Sequence, residues 1–159
     1  MKSKNLVVVA VIASLIGGSW WWTSSQASKS CVTVYVDYGV LDNDAKSVEC
    51  IPTDVPLDGM TAVNMASHAI LGTEKYGLDV ICKVDSLPKG GVPIGIEGHE
   101  NYVETCKDMP PAFAYWAILV KTSSTEWGWA QTGLRDIKLN PGDSVALVFA
   151  ENDNVRFPK

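Results

Sequence analysis

The residues of this chain that could carry chemistry are few: His68, His99, four cysteines and some clustered carboxylates. Glu97-Gly98-His99-Glu100 is the one cluster with the composition of a metal or acid/base site. Its spacing is unfavourable, because a His-Glu-x-x-His site relies on a helix to bring its ligands onto one face, and no helical pattern runs through this segment. A solvated polar loop is the simpler reading. His68 falls with Thr61 and Asn64 on the polar side of an expected helix, and no partner for a general base stands nearby, so it reads as a solvated helix residue. Asp42-Asn43-Asp44 lacks the Gly and bidentate Glu spacing of an EF-hand loop and reads as turn chemistry. Without a Gly-x-Ser-x-Gly elbow or paired carboxylates in an aromatic cleft, a secreted hydrolase is the weakest of the functional alternatives.

Cys31, Cys50, Cys82 and Cys106 form no Cys-x-x-Cys pair, so zinc and thioredoxin-like redox sites lose their usual signature and no metal is expected. An even count fits structural disulfides. Three pairings are open. Cys31 with Cys50 and Cys82 with Cys106 is favoured, since each then ties neighbouring elements together. The second would staple the irregular Asp85–Thr105 loop, a contribution of roughly 3 kcal/mol in the chain-entropy model.

The aromatic residues concentrate in Ala112–Asn140, where Phe113, Tyr115, Trp116, Trp127 and Trp129 surround one expected strand pair. Pro110-Pro111 and Asn140-Pro141-Gly142-Asp143 bound that segment. Indole supplies large contact area and is enriched in binding hot spots, so Trp116, Trp127 and Trp129 are the candidate ligand-binding residues. The competing reading is that these rings fill a small core.

The elements that must position these residues follow from periodicity. Cys31–Tyr38 alternates as a strand, with Val32, Val34, Val36 and Tyr38 on its buried face. The Asp42–Asp44 turn and Lys46–Ile51 complete a hairpin that brings Cys31 near Cys50. Gly59–Leu71 has helical spacing, with Gly72 as its stop. Tyr76–Val84, Phe113–Lys121, Glu126–Ala130 and Ser144–Phe149 are further expected strands. Phe113–Lys121 is apolar on both faces and should be central.

Lys2 and Lys4, the apolar Leu6–Ile16 and the small residues Ser25 and Ala27 have the layout of an export signal, with residues 1–27 removed and Ser28–Lys159 left as one domain. Trp20-Trp21-Trp22 supplies the alternative, an uncleaved amino-terminal anchor, because indole favours the membrane interface. A net charge of −5 with acidic residues spread singly gives no basic patch for phosphates, so nucleic acid is a poor partner.

The order hairpin, helix, strand, long loop, strands is that of a β-grasp fold, an α+β architecture in which a mixed sheet packs on one helix. Val36-Asp37-Tyr38-Gly39, Tyr115-Trp116, Trp127-Gly128-Trp129, Gly133 and Pro141-Gly142-Asp143 resemble the transcobalamin-like carboxy-terminal domain family of exported bacterial proteins. In the vitamin carriers of that family this domain forms one wall of a cobalamin site and a helical domain forms the other. No helical domain is present in this sequence, so the resemblance implies a non-enzymatic binding domain without implying cobalamin itself, and no cofactor is assigned. A small molecule or a cell-surface partner is the expected ligand. A cell-surface assembly module offering a strand edge is the other alternative.

Overall fold

The computed structural model describes residues 30–159. The expected signal segment 1–27, with Trp20–Trp22, lies outside the described residues. Among the described residues the fold is α+β, mostly sheet with one α-helix. Strands β1 (Cys31–Asp37) and β2 (Lys46–Pro52) form the expected antiparallel hairpin, with Val34 opposite Glu49 and Tyr35 opposite Val48. A 3-10 turn, Gly39–Asp42, connects them, and Asn43 and Asp44 take the left-handed backbone that short polar side chains tolerate. The segment Asp42–Asp44 therefore does turn work.

A short β3 (Leu57–Asp58) leads into helix α1 (Gly59–Met65). Asp58 caps it, accepting the Thr61 amide at 2.8 Å and the Thr61 hydroxyl at 2.7 Å. The helix is half the expected length. Ser67 turns left-handed with φ 66°, and Ile70–Thr73 leaves the helical path as β4, paired with β5 (Gly77–Val84). Ile70 and Leu71 have helical spacing to Val63, but pairing with Val84 and Lys83 overrides it. Gly72 is no helix stop. A Cβ there would stand 1.9 Å from the Gly77 carbonyl oxygen, so the bulged ribbon needs the bare backbone. The same register shift breaks period-two alternation in β5, where Ile81, Cys82 and Val84 are all buried.

The main sheet is completed by β6 (Ala114–Lys121), β7 (Gly128–Trp129) and β9 (Ser144–Glu151), while β8 (Lys138–Leu139) pairs with β3. Its order is β2-β1-β9-β6-β7, with β1 and β9 parallel and the other pairs antiparallel. The middle strand is β9, and β6 is interior as expected, between β9 and β7. β9 is buried from Val145 to Ala150, longer than the alternation of Ser144–Phe149 foretold. The expected Glu126–Ala130 strand shrinks to two paired residues.

One face of the sheet carries Val32, Val34, Val36, Trp116, Val145, Leu147 and Phe149 against Ala62 and Val63 of α1 and against Leu134, Ile137 and Leu139. The reverse face holds a smaller cluster of Leu119, Ala146 and Val148, packed by Tyr35, Trp127 and Val155. Both disulfides are closed, Cys31–Cys50 and Cys82–Cys106, each with Cα atoms 5.5 Å apart. Closed bridges fit an oxidising, extracellular-type compartment. No described helix is long and apolar enough to cross a membrane.

Candidate functional site

The unpaired stretch of β6 borders a ligand-sized cavity. The Ile118 carbonyl accepts the Ala130 amide, so the backbone polar groups of Ile118 point away from β9. Period-two alternation puts the N–H and C=O of Trp116 on that same side. Yet β7 pairs only with Leu119 and Val120, and nothing continues the ladder toward Trp116. Beside this gap lies a cavity of about 370 Å³, lined by Asp79, Ile81, Met109, Pro110, Tyr115, Trp116, Ile118 and Asp153 among others. Tyr115 and Trp116 are adjacent in the strand and point to opposite faces, so both reach the cavity only because it runs along a strand edge.

Trp116 is 6 % exposed and sits edge-on to Phe149 at 5.4 Å and to Tyr38 at 6.0 Å between ring centroids. Its Nε1 is buried with no hydrogen-bond partner, an unusual condition for an indole donor. Burial pushes the Tyr115 phenol above its ordinary range, and the nearby Asp153 carboxylate adds to the shift.

The three indoles expected to share a face are divided. Trp129 lies opposite Leu119 in the β6–β7 pair, which puts it on the reverse face with Trp127, while Trp116 is on the core face. The sequence interval between Trp116 and Trp127 spans a turn, and strand register across a turn decides the face. Trp127 is half-buried. Trp129 is 48 % exposed and meets the Phe157 ring of the carboxy-terminal tail edge-on at 6.4 Å.

The Glu97–Glu100 cluster is a tight turn closed by the bridge between Ile96 and His99. His99 stacks on Phe113 at 3.6 Å, and Glu100 accepts the Gly98 amide. Among the described residues these side chains do not gather their ligand atoms at a common point. Cys82, Glu104 and Cys106 come together, but both sulfurs are in a disulfide, and Glu104 accepts the Tyr102 hydroxyl and the Cys106 amide. This grouping therefore has no thiolate to offer a metal.

His68 is the main correction. It is buried, not solvated: Nδ1 lies 2.6 Å from Asp85 Oδ2, which also accepts the Tyr38 hydroxyl at 2.5 Å, while the Ala69 amide donates to Oδ1. Burial works to raise the Asp85 carboxyl, but these hydrogen bonds more than offset it and hold the group below the usual carboxylate range. Burial, reinforced by Asp85, pushes the Tyr38 phenol far up. The arrangement has the members of an acid/base relay, yet His68 Nε2 is enclosed and unpartnered, and neither cavity described is lined by His68. Sequence reasoning missed it because Tyr38, His68 and Asp85 stand on three separate elements. The one sequence signal is Tyr38 within Val36–Gly39.

That motif also places a buried charge. Asp37 is fully buried on the first strand's last residue; its Oδ1 accepts the Gly39 amide at 3.0 Å and faces Arg156 at 3.4 Å. Lys46 stands 3.1 Å from Oδ2, an ion pair without the alignment of a directed hydrogen bond. Gly39 has φ +54°, and a Cβ there would meet Arg156 Nη2 at 2.8 Å, so glycine is required both for the turn and for the guanidinium.

No family model, curated protein or solved structure matched the chain.

Proposed function

We propose that this protein is an exported, non-enzymatic binding domain of the β-grasp type, whose ligand occupies the cavity beside the open edge of β6. The observation that carries the reading is Trp116, which together with Tyr115 and Ile118 lines a ligand-sized cavity beside the part of β6 that β7 does not reach. The strand order β2-β1-β9-β6-β7, parallel at β1 and β9, with an α-helix following the first hairpin and the short β3, supports the β-grasp assignment. It is also in keeping with the resemblance to the transcobalamin-like domain. The closed disulfides and the signal-like amino terminus support secretion.

The binding role of Trp127 and Trp129 becomes a separate, second reading. Their face carries exposed Val48, Trp129 and Phe157, an apolar surface suited to another chain at a cell surface. The cavity reading is tested by Ala112→Trp, which fills the cavity from an exposed rim position without altering the core. Titration of tryptophan fluorescence with a panel that includes corrinoids and cell-wall sugars should find a saturable ligand for the native protein and none for the variant. A ligand that binds both proteins equally, and is lost instead on Trp129→Ala, would move the function to the reverse face.

A further inference from the structure

The first strand in the order of the main sheet is β2, which pairs with β1 and, among the described residues, with nothing on its other side. Edge strands are ordinarily blunted by a bulge or an internal proline. β2 has neither: its pairing with β1 runs without a register shift over all 7 residues, and Pro52 is the last of them. Lys46 does not shield the edge, because its ammonium group turns back across β1 to Asp37 Oδ2 at 3.1 Å. The direction of the backbone follows from two flanking hydrogen bonds, in which the Thr53 amide donates to the Ser30 carbonyl and the Tyr38 amide to that of Ala45. Alternation between them turns Ser47, Glu49 and Ile51 toward β1 and leaves the backbone polar groups of Lys46, Val48 and Cys50 pointing outward. Val48, in the middle of that row, is 59 % exposed.

We propose that β2 is a self-association edge, at which a second copy of this chain adds its own β2 antiparallel and joins two 5-stranded sheets into one. A two-fold axis normal to the sheet relates such strands, so each residue stands opposite a residue of its own face. Centred on Val48, the pairing sets Val48 against its copy and Lys46 against Cys50 of the second copy. Every outward backbone group of these residues then has a partner. Ser47 comes opposite Glu49 of the second copy, a hydroxyl donor against a carboxylate that makes no ion pair among the described residues. Neighbouring centres are worse. Glu49 at the axis opposes two carboxylates, and Lys46 opposes two ammonium groups. Cys50 brings Val48 against Pro52, which has no N–H, and Ser47 brings Cys50 against the left-handed Asp44. Val48 lies opposite Tyr35 on the reverse face, so the seam covers an exposed apolar side chain. A seam of one short strand falls in the weak class, below about 1,200 Å² of buried surface, so the dimer forms reversibly. The surface is separate from the cavity beside β6, which lies beyond β9 in the sheet.

Sedimentation equilibrium of the disulfide-closed protein, from about 10 μM to about 1 mM, should show a reversible equilibrium between monomer and dimer. Val48→Lys and Val48→Glu should each raise the dissociation constant about tenfold or more, because the axis sets each new charge against its own copy. An equimolar mixture of the two variants should restore association, since opposite charges then meet. Circular dichroism should be unchanged in both, the position being exposed, and Val48→Thr, which adds no charge, should dimerise like the native protein. Trp129→Ala should also leave the dimer intact. A native protein that is monomeric throughout this range, association unaffected by either charge, or a mixture that stays monomeric would overturn the assignment. Loss of the dimer on Trp129→Ala would overturn it as well and would move self-association to the reverse face.

Discussion

Tyr38 and His68 are brought to one oxygen: Oδ2 of Asp85 accepts the Tyr38 hydroxyl at 2.5 Å and faces His68 Nδ1 at 2.6 Å. This joins the end of β1, the segment after α1 and the end of β5 through one carboxylate. The Asp85 backbone is itself left-handed, φ 50°, a geometry that surrounding contacts must maintain. Its role is to lock the two-stranded β4–β5 ribbon against the main sheet.

Changing Asp85 to Asn should therefore destabilise the fold by up to about 1.5–3 kcal/mol, the range for a hydrogen bond to a charged group. The sign of the pH dependence follows from the depressed Asp85 carboxyl. The stability it contributes is present above the unfolded aspartate pKa of about 3.9 and is lost as pH falls through the lower, folded value. Urea denaturation of native protein and variant between pH 7 and pH 2.5 checks this. The gap between them should narrow in acid, and a constant gap would refute the assigned cause.

At the alkaline end Tyr38 acts with the opposite sign. Its folded pKa lies above the unfolded value of about 10, so its contribution is complete below pH 10 and declines as pH rises further. Tyr38→Phe should be less stable than the native protein near neutrality and should lose less on raising the pH to 11.

The indoles should separate by stability. Trp116→Ala removes a ring from the main core and is expected to cost about 3–5 kcal/mol. Trp129→Ala touches a half-exposed ring and should cost under about 1 kcal/mol. Chemical denaturation of both variants decides it, and a large loss at Trp129 would make the reverse face a second core rather than a surface.

Peptide mapping without reductant should recover Cys31 joined to Cys50 and Cys82 joined to Cys106. Replacing either pair by serine should lower stability by about 3 kcal/mol, as expected for loops of 19 and 24 residues. A Cys50–Cys82 link would contradict the hairpin.

Export has its own readout. Mass spectrometry of secreted material should find Ser28 at the amino terminus, because small residues precede it at the two positions a signal peptidase requires. Material retaining Trp20–Trp22 in the membrane fraction would establish anchoring instead.

Alternation alone determined the β1–β2 hairpin and the burial of Val32, Val34 and Val36, because period-two patterning is a property of local sequence. The disulfide pairing followed from that hairpin and from the loop that Cys82 and Cys106 enclose. Helical spacing across Gly59–Leu71 misled, since Ile70 and Leu71 satisfy a helix and a strand alike until a partner strand is present. His68 read as solvated because its helix was extended too far, and because a partner 17 residues away has no local signature. The division of Trp116 from Trp127 and Trp129 depended on register across a turn, and the open edge of β6 depended on β7 being only two residues long. Both are properties of strands that meet in space, so the cavity that Trp116 lines existed nowhere in the sequence and was decided by the tertiary structure alone.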